Sequence, residues 1–333
     1  MPFEIVRNDI TKMRVDAIVN SANPKPIVGL GTDSSIHEAA GPELLAARQK
    51  IGNIAPGMAA ITPAFCLDAK YVIHTVGPVW DGGSYGEEQL LRNCYDNSLG
   101  LALEPNCRSI AFPLISTGNY GFPKDQALQI AVSAFSAFLM AHEMQIYLVV
   151  FDRSAFRLSE KLFRHVSSYI DQHYVDTLEK ATYGPLGNAR RLQRRRMDRV
   201  ERSACAAPAA VPDLDTFLKK KDAGFVETLL NLIQKSGQKN STIYKKANMS
   251  KQHFSKIRND PNYRPKKPTA LALALALELD LEQTNELIGR AGFVLSRSSK
   301  FDLIIRYFIE NKIYNVIEIN LALYEFDQPL LGA

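Results

Sequence analysis

The chain has 333 residues, 46% of them hydrophobic and 23% charged, with a formal net charge of +5. That length holds two ordinary domains, and the composition is that of a globular chain rather than a disordered or fibrous one. No stretch approaches the roughly 18 apolar residues of a membrane span, and residues 1–7 are charged and strand-like, so a cytoplasmic protein without membrane contact is expected.

In chain order, short β-branched runs predict strands over 3–6, 17–20, 59–62, 71–76, 109–112 and 145–151. Helical patterns fall between them, over 35–50, 87–104, 124–142 and 154–173. Several strands are uniformly apolar, as strands covered on both faces are. The alternation implies an α/β, three-layer domain with a mostly parallel or mixed sheet over 1–175. The pattern dissolves over 176–215, where seven arginines (Arg190, Arg191, Arg194, Arg195, Arg196, Arg199 and Arg202) and an Ala/Pro run mark a basic linker or an auxiliary polyanion anchor.

From 216 to 333 the period is helical throughout, although the β-branched run at 313–319 leaves a strand open there. Between Lys235 and Lys267 stand ten basic residues and one acidic one, a net of +9. The same stretch predicts a helix over 241–247, a short turn, and a helix capped by Ser250. Four cysteines, Cys66, Cys94, Cys107 and Cys205, form neither a Cys-x-x-Cys pair nor a Cys/His cluster. No metal, cofactor or disulfide framework is expected from that spacing.

Four separated segments fit one diphosphate-containing ligand. Asp9, with Ile10 and Thr11, follows the first strand and offers an acceptor to a base amino group or a ribose hydroxyl; it is equally suited to capping its own turn. Asn20 to Asp33 is a long loop with Gly29 and Gly31 that feeds a helix N-terminus, a place where backbone N–H groups hold phosphate. Ser116, Thr117, Gly118, Asn119, Tyr120 and Gly121 repeat that design, with Tyr120 or Phe122 supplying a ring. Phe151 ends the last strand, placed to pack on a base. His74, in an apolar strand, is expected to be a satisfied core histidine, and His37 a brace.

These segments resemble the macrodomain family, and within it the MacroD-type branch of ADP-ribosyl hydrolases. The resemblance rests on Asn20-Ser21-Ala22-Asn23, Thr32-Asp33-Ser34-Ser35-Ile36-His37, Pro56 to Thr62, Tyr71 to Pro78 and Ser116 to Pro123, and it covers about half the chain. It implies that Asp9 contacts the adenine side, that Gly29, Gly31 and Ser116 to Gly121 wrap the diphosphate, and that Phe151 flanks adenine. It implies further that Asn23 reaches the distal ribose with Tyr120 packed on it, and that Asp33 positions a water. The implied activity is release of mono-ADP-ribosyl groups from acidic side chains of proteins, or hydrolysis of O-acetyl-ADP-ribose. Leu30 interrupts the family's glycine run and Pro24 and Pro26 stiffen the loop, which leaves a non-catalytic ADP-ribose reader open. The helical half is similar to the helix-turn-helix of Cro-type repressors. By that analogy Lys245, Lys246, Ser250, Lys251, Gln252, Lys256 and Arg258 face duplex DNA, with a protein partner as the alternative.

Overall fold

The computed structural model describes residues 2–150, 166–170 and 223–332. Phe151, Cys205, the arginine-rich stretch and most of the helix expected over 154–173 lie outside the described residues. Six strands form one sheet: β1 (Phe3–Arg7), β2 (Val15–Ser21), β3 (Ala59–Pro63), β4 (Ala69–Thr75), β5 (Ser109–Phe112) and β6 (Gln145–Val150), in the order β1-β6-β5-β2-β4-β3. All neighbours are parallel except β3 and β4, so the sheet is mixed.

Successive side chains on a strand point to opposite faces, and both faces are apolar here. Ala17 and Val19 pack under α3 (Glu87–Leu103) and α4 (Lys124–Ala141), with Tyr95, Phe112 and Phe135 at the centre. Ile18, Val72 and Ala111 face the other way, against α1 (Thr32–Ala40) and α2 (Pro42–Ile51). The single helix expected over 35–50 is two. Gly41 sits at φ +89° and Pro42 opens the second helix, a pair that ends one helix and starts the next at an angle.

The second half is α5 (Phe225–Ser236), α6 (Asn240–Lys246), α7 (Lys251–Asn259), α8 (Lys267–Ala276), α9 (Leu281–Gly289), α10 (Lys300–Glu310) and α11 (Val316–Glu325). The β-branched run at 313–319 is not a strand. Lys312 turns at φ +57° and the Asn315 side chain accepts from the Ile317 and Glu318 amides, starting α11 inside the run. Every residue of α8 from Thr269 to Ala276 is buried, and its outer end is held by Lys267, whose Nζ reaches both oxygens of the buried Asp302 carboxylate at 2.6 and 2.7 Å. Among the described residues no helix is long and apolar enough to cross a membrane.

The helices are packed on the sheet domain rather than strung behind it. One apolar cluster runs from Phe3 and Leu139 through Ile243, Met249, Leu275 and Ile317. Strand β1 lies at the sheet edge, where unpaired backbone groups need partners. Asn248, in the α6–α7 turn at φ +52°, provides them: its Oδ1 accepts from Phe3 N at 2.9 Å and its Nδ2 donates to Phe3 O at 3.0 Å. Tyr244 Oη donates to Glu143 at 2.9 Å beside it. Asn248→Ala leaves both Phe3 groups buried and unpaired, at a cost of about 2–4 kcal/mol. Urea denaturation of the full chain should show that loss; a change below about 0.5 kcal/mol would show the edge contact to be dispensable.

Candidate functional site

Four parallel strands, β1, β6, β5 and β2, lie side by side and deliver their carboxyl ends to one edge of the sheet. That edge is where open α/β sheets bind ligands. The loops after β2 and β5 enclose a cleft of about 310 Å³ lined by Asn23, Gly29, Leu30, Gly31, Asp33, Leu114, Ser116, Gly118, Asn119 and Tyr120, among others. Its size is at the lower end of small-molecule sites.

The first wall is held by Asp33, which is 3% exposed in the first turn of α1. Its Oδ1 accepts from Asn20 Nδ2 at 2.6 Å, and its Oδ2 accepts from the Gly29 backbone N–H. A Cβ at Gly29 would displace Asn23 Nδ2 and touch Asp33 Oδ2, so glycine leaves the Asn23 amide in place beside Asp33. Gly31 carries the left-handed turn at φ +66°, and Leu30 is not among the positive-φ residues, so the leucine in the glycine run imposes no backbone strain. Gly31 caps α1 without a side chain, so no N-cap side chain accepts from the first-turn amides, and Gly31, Thr32 and Asp33 of this helix start line the cleft.

Behind this wall runs a buried polar chain. Asn20, fully buried at the end of β2, also donates to His74 Nδ1 at 3.2 Å, and His74 Nε2 lies 3.0 Å from Thr62 Oγ1. An accepting Nδ1 fixes the Nε2–H tautomer, and Thr62 passes its proton toward Val72 O. His37 Nε2 stands 3.6 Å from Asp33 Oδ1. Burial lowers the His37 pKa, opposed by the Asp33 charge. Arg48, 2% exposed on α2, donates to Asn23 O at 3.1 Å, to Pro24 O at 3.4 Å and to Gly52 O, and so pins the root of the loop. Sequence reasoning missed Arg48, because its partners are backbone carbonyls up to 25 residues away.

The second wall is the loop after β5. Ser116 adopts φ +64°, a costly conformation for a residue with a Cβ, and is 5% exposed with an Oγ that has no hydrogen-bond partner among the described residues. Gly77 makes room for it, since a Cβ there would collide with Ser116 Oγ. The turn is closed by Gly121 N to Gly118 O and Phe122 N to Ser116 O, both 3.0 Å, and by Thr117 Oγ1 to Leu114 O at 2.9 Å. Tyr120 lines the cleft, its phenol pKa raised by burial and by the Asp33 charge. Phe122 does not line it; it is buried against Trp80 at 4.6 Å.

Several expected ligand contacts are therefore placed elsewhere. Asn20 lies behind Asp33 rather than in the cleft, because its amide is consumed by the buried chain. The Ile10 side chain is in the core under α1. Thr117 and Gly121 shape their loop without lining the cleft. Asp9 follows β1 at the same sheet edge and caps its own turn, accepting from Thr11 N at 3.0 Å and Thr11 Oγ1 at 2.7 Å, a bond that holds its carboxyl below the usual range. Among the described residues no cluster of His, Cys, Asp or Glu is arranged to hold a metal.

In the helical half, Ser250 caps α7 by accepting from His253 N at 3.2 Å. Lys251, Gln252, Lys256 and Arg258 are exposed. Lys245 and Lys246 make exposed contacts within the chain: Lys245 Nζ donates to Met140 O at 3.0 Å and Lys246 Nζ pairs with Glu278 at 2.8 Å. Ser250, Lys251 and Gln252 line a second cavity of about 440 Å³ together with Arg108, Glu143 and Gln145 of the sheet domain.

Comparison with known proteins gives a consistent result. Residues 19–131 match the family described as Macro domain. The O-acetyl-ADP-ribose deacetylase of Citrobacter rodentium is 51% identical over 166 residues, covering 48% of this chain and 94% of that protein. A macro domain-containing protein of Lactiplantibacillus plantarum is 53% identical over 153 residues, covering 45% of this chain and 89% of that protein. The solved Oceanobacillus iheyensis macrodomain with ADP is 41% identical with a TM-score of 0.45, covering 46% of this chain and 85% of that one.

The buried imidazole gives a pH test. Burial, with the Arg48 charge, pushes His74 down to about 3 from 6.5. The folded state thus resists a proton that the unfolded chain takes up below pH 6.5. Stability from this group is complete above that pH and is lost as pH falls toward 3, by up to about 1.4 kcal/mol per unit. Denaturation midpoints of wild type and His74→Gln between pH 7 and 4 should converge as the pH drops; parallel curves would show that His74 is protonated in the fold without cost.

Proposed function

This chain belongs to the Macro domain family, and from that premise we propose that its first half binds ADP-ribose and hydrolyses carboxylate esters of the distal ribose. The substrates are mono-ADP-ribosyl groups on acidic side chains and small esters such as O-acetyl-ADP-ribose. One observation carries the reading: Asp33 is the only carboxylate lining the cleft among the described residues, fixed by Asn20 of β2 and Gly29 of the first loop in a cleft that the loop after β5 also lines. Relatives that are about half identical and carry the name O-acetyl-ADP-ribose deacetylase support a hydrolase.

In this reading Asp9 takes the adenosine end. The α1 amides with Gly29 and Gly31, and the Ser116 to Gly121 loop, hold the diphosphate. Asn23 and Tyr120 orient the distal ribose. Asp33 accepts a hydrogen bond from a water and aims its oxygen at the carbon to be attacked. With an ADP-ribosylated carboxylate that is the anomeric carbon: the new C–O bond forms as the carboxylate leaves with the electron pair of the broken one, and the water's proton passes to a ligand phosphate oxygen. With an O-acyl ester it is the acyl carbonyl carbon: water adds, the ribose oxygen leaves with the electron pair of the acyl C–O bond and takes up a proton, and the carboxylate is released. Fixing the water and the ester in one geometry and cradling the phosphates with preorganised N–H groups are the two rate-raising devices. Gly31, rather than Leu30, takes the positive φ, which supports turnover over a passive reader.

Titration calorimetry should give an ADP-ribose affinity in the micromolar range or better, about −8 kcal/mol. Asp33→Ala should cut release of ADP-ribose from an ADP-ribosylated carboxylate by about 100-fold or more, while weakening ADP-ribose binding by at most about tenfold through the freed Gly29. Equal turnover in the two proteins would remove Asp33 from the mechanism, and an absence of ADP-ribose binding would end the reading altogether.

For the helical half we propose contact with duplex nucleic acid through α7, because Lys251, Lys256 and Arg258 are exposed on one short helix and Arg108 flanks it. With Lys245 and Lys246 engaged internally, about four phosphates are neutralised. Binding by the full chain should therefore weaken with salt at a log–log slope of about −3 to −4. Lys251→Glu with Lys256→Glu should lower affinity at least about tenfold in anisotropy measurements at low salt. Indifference to that double reversal would assign the helices to protein docking.

A further inference from the structure

Three of the exposed large apolar side chains fall within four residues of the cleft loop: Ile27 at 58%, Val28 at 41% and Leu30 at 78%. Slackness does not account for them. The loop root is pinned by Arg48 to Asn23 O and Pro24 O, by Ile54 N to Pro24 O at 2.9 Å, and by Gly29 N to Asp33. A fixed loop that holds a leucine out at the mouth of a polar cleft is presenting an apolar surface, and Leu30 does line the cleft, opposite Asn119 and Tyr120.

The chemistry of the cleft fixes what that surface meets. In an ester hydrolase the reacting carbon sits within one water of the carboxylate that orients the water. Here that is Asp33, three residues beyond Leu30 and in the same lining. Behind Asp33 the space is filled by Asn20, His37 and His74, all buried, so an acyl chain cannot run inward. Its way out passes the open side, where Leu30, 78% exposed, is the most exposed large apolar group of a lining that also holds Leu114, Pro113 and Ala22.

We propose that Leu30 is a specificity contact for the aliphatic chain attached to the ester carbonyl, so that this chain favours esters longer than acetyl. The inference rests on the hydrolase reading and deepens it. Each methylene laid on an apolar surface gains part of its full transfer energy, and two of them on an open lip amount to about a tenfold preference.

The test compares kcat/KM of the full chain on the acetyl and butanoyl esters of ADP-ribose. The expected ratio favours butanoyl by about tenfold. Leu30→Ser should bring the ratio to about one, and Leu30→Met, which keeps the apolar bulk, should retain the preference; competition by ADP-ribose reports that each variant is folded. A ratio near one in wild type, or a preference that survives Leu30→Ser, overturns the assignment of Leu30 and leaves the hydrolase standing. No turnover of either ester overturns this inference, and the hydrolase reading falls with it only where ADP-ribose release from an ADP-ribosylated carboxylate is absent as well.

Discussion

The site depends on one buried carboxylate. Taking the Asp33 charge out of water costs several kcal/mol unless it is met by donors, and the fold meets it twice. Asn20 comes from the end of β2 and Gly29 from the loop, so the same bonds that satisfy the charge tie the loop to the sheet. The rest follows from that tie. Gly29 leaves the Asn23 amide its place, His74 has to stay neutral to accept from Asn20, and Arg48 holds the loop root while supplying a positive field nearby. The polar chain behind Asp33 is not closed on itself: Asn20 Oδ1 and His37 Nδ1 are buried with no hydrogen-bond partner among the described residues. Its reach across β2, β4 and β3 makes the rear of the cleft part of the core rather than an appendage to it.

The opposite wall follows a different principle. Ser116 stores backbone strain, and Gly77 yields the space that lets it do so. Strain of this sort persists where surrounding structure over-determines it, and here two 3.0 Å backbone bonds and the Thr117 hydroxyl close the turn. One wall is thus positioned by a charge and the other by strain. Between them the cleft presents N–H groups, one carboxylate and a leucine.

Local patterns disclosed much of this and missed what was not local. Several of the six strands are uniformly apolar because both faces of the sheet are covered, whereas edge strand β1 carries Glu4 and Arg7. The Gly41-Pro42 break was hidden because the apolar period continues on either side of it. Asn20, Ile10 and Thr117 sat in the right motifs with the wrong orientation: a motif places a residue beside a site, and only its neighbours decide whether its side chain enters. Arg48 and Asn248 were silent, since each acts on backbone groups distant in sequence, 245 residues away for Asn248 and Phe3. The charge of the basic stretch was legible, but three of its ten cations, Lys245, Lys246 and Lys267, are spent on carbonyls and carboxylates of the same chain.

Where Asn248 grips β1 also constrains how the two halves work together. It holds Phe3, at the amino end of the strand, whereas the cleft opens at the carboxyl ends. Asp9 is six residues on, and at about 3.3 Å per residue that is about 20 Å away. The α7 face therefore lies toward the opposite edge of the sheet, beside Arg108 and Gln145, which stand at the amino ends of β5 and β6. A polyanion on α7 and an ADP-ribosyl group in the cleft cannot be the same small molecule. If both sites act at once, they hold two parts of an extended target at a spacing set by β1, which is rigid because it is paired with β6 along one side and clamped by Asn248 on the other.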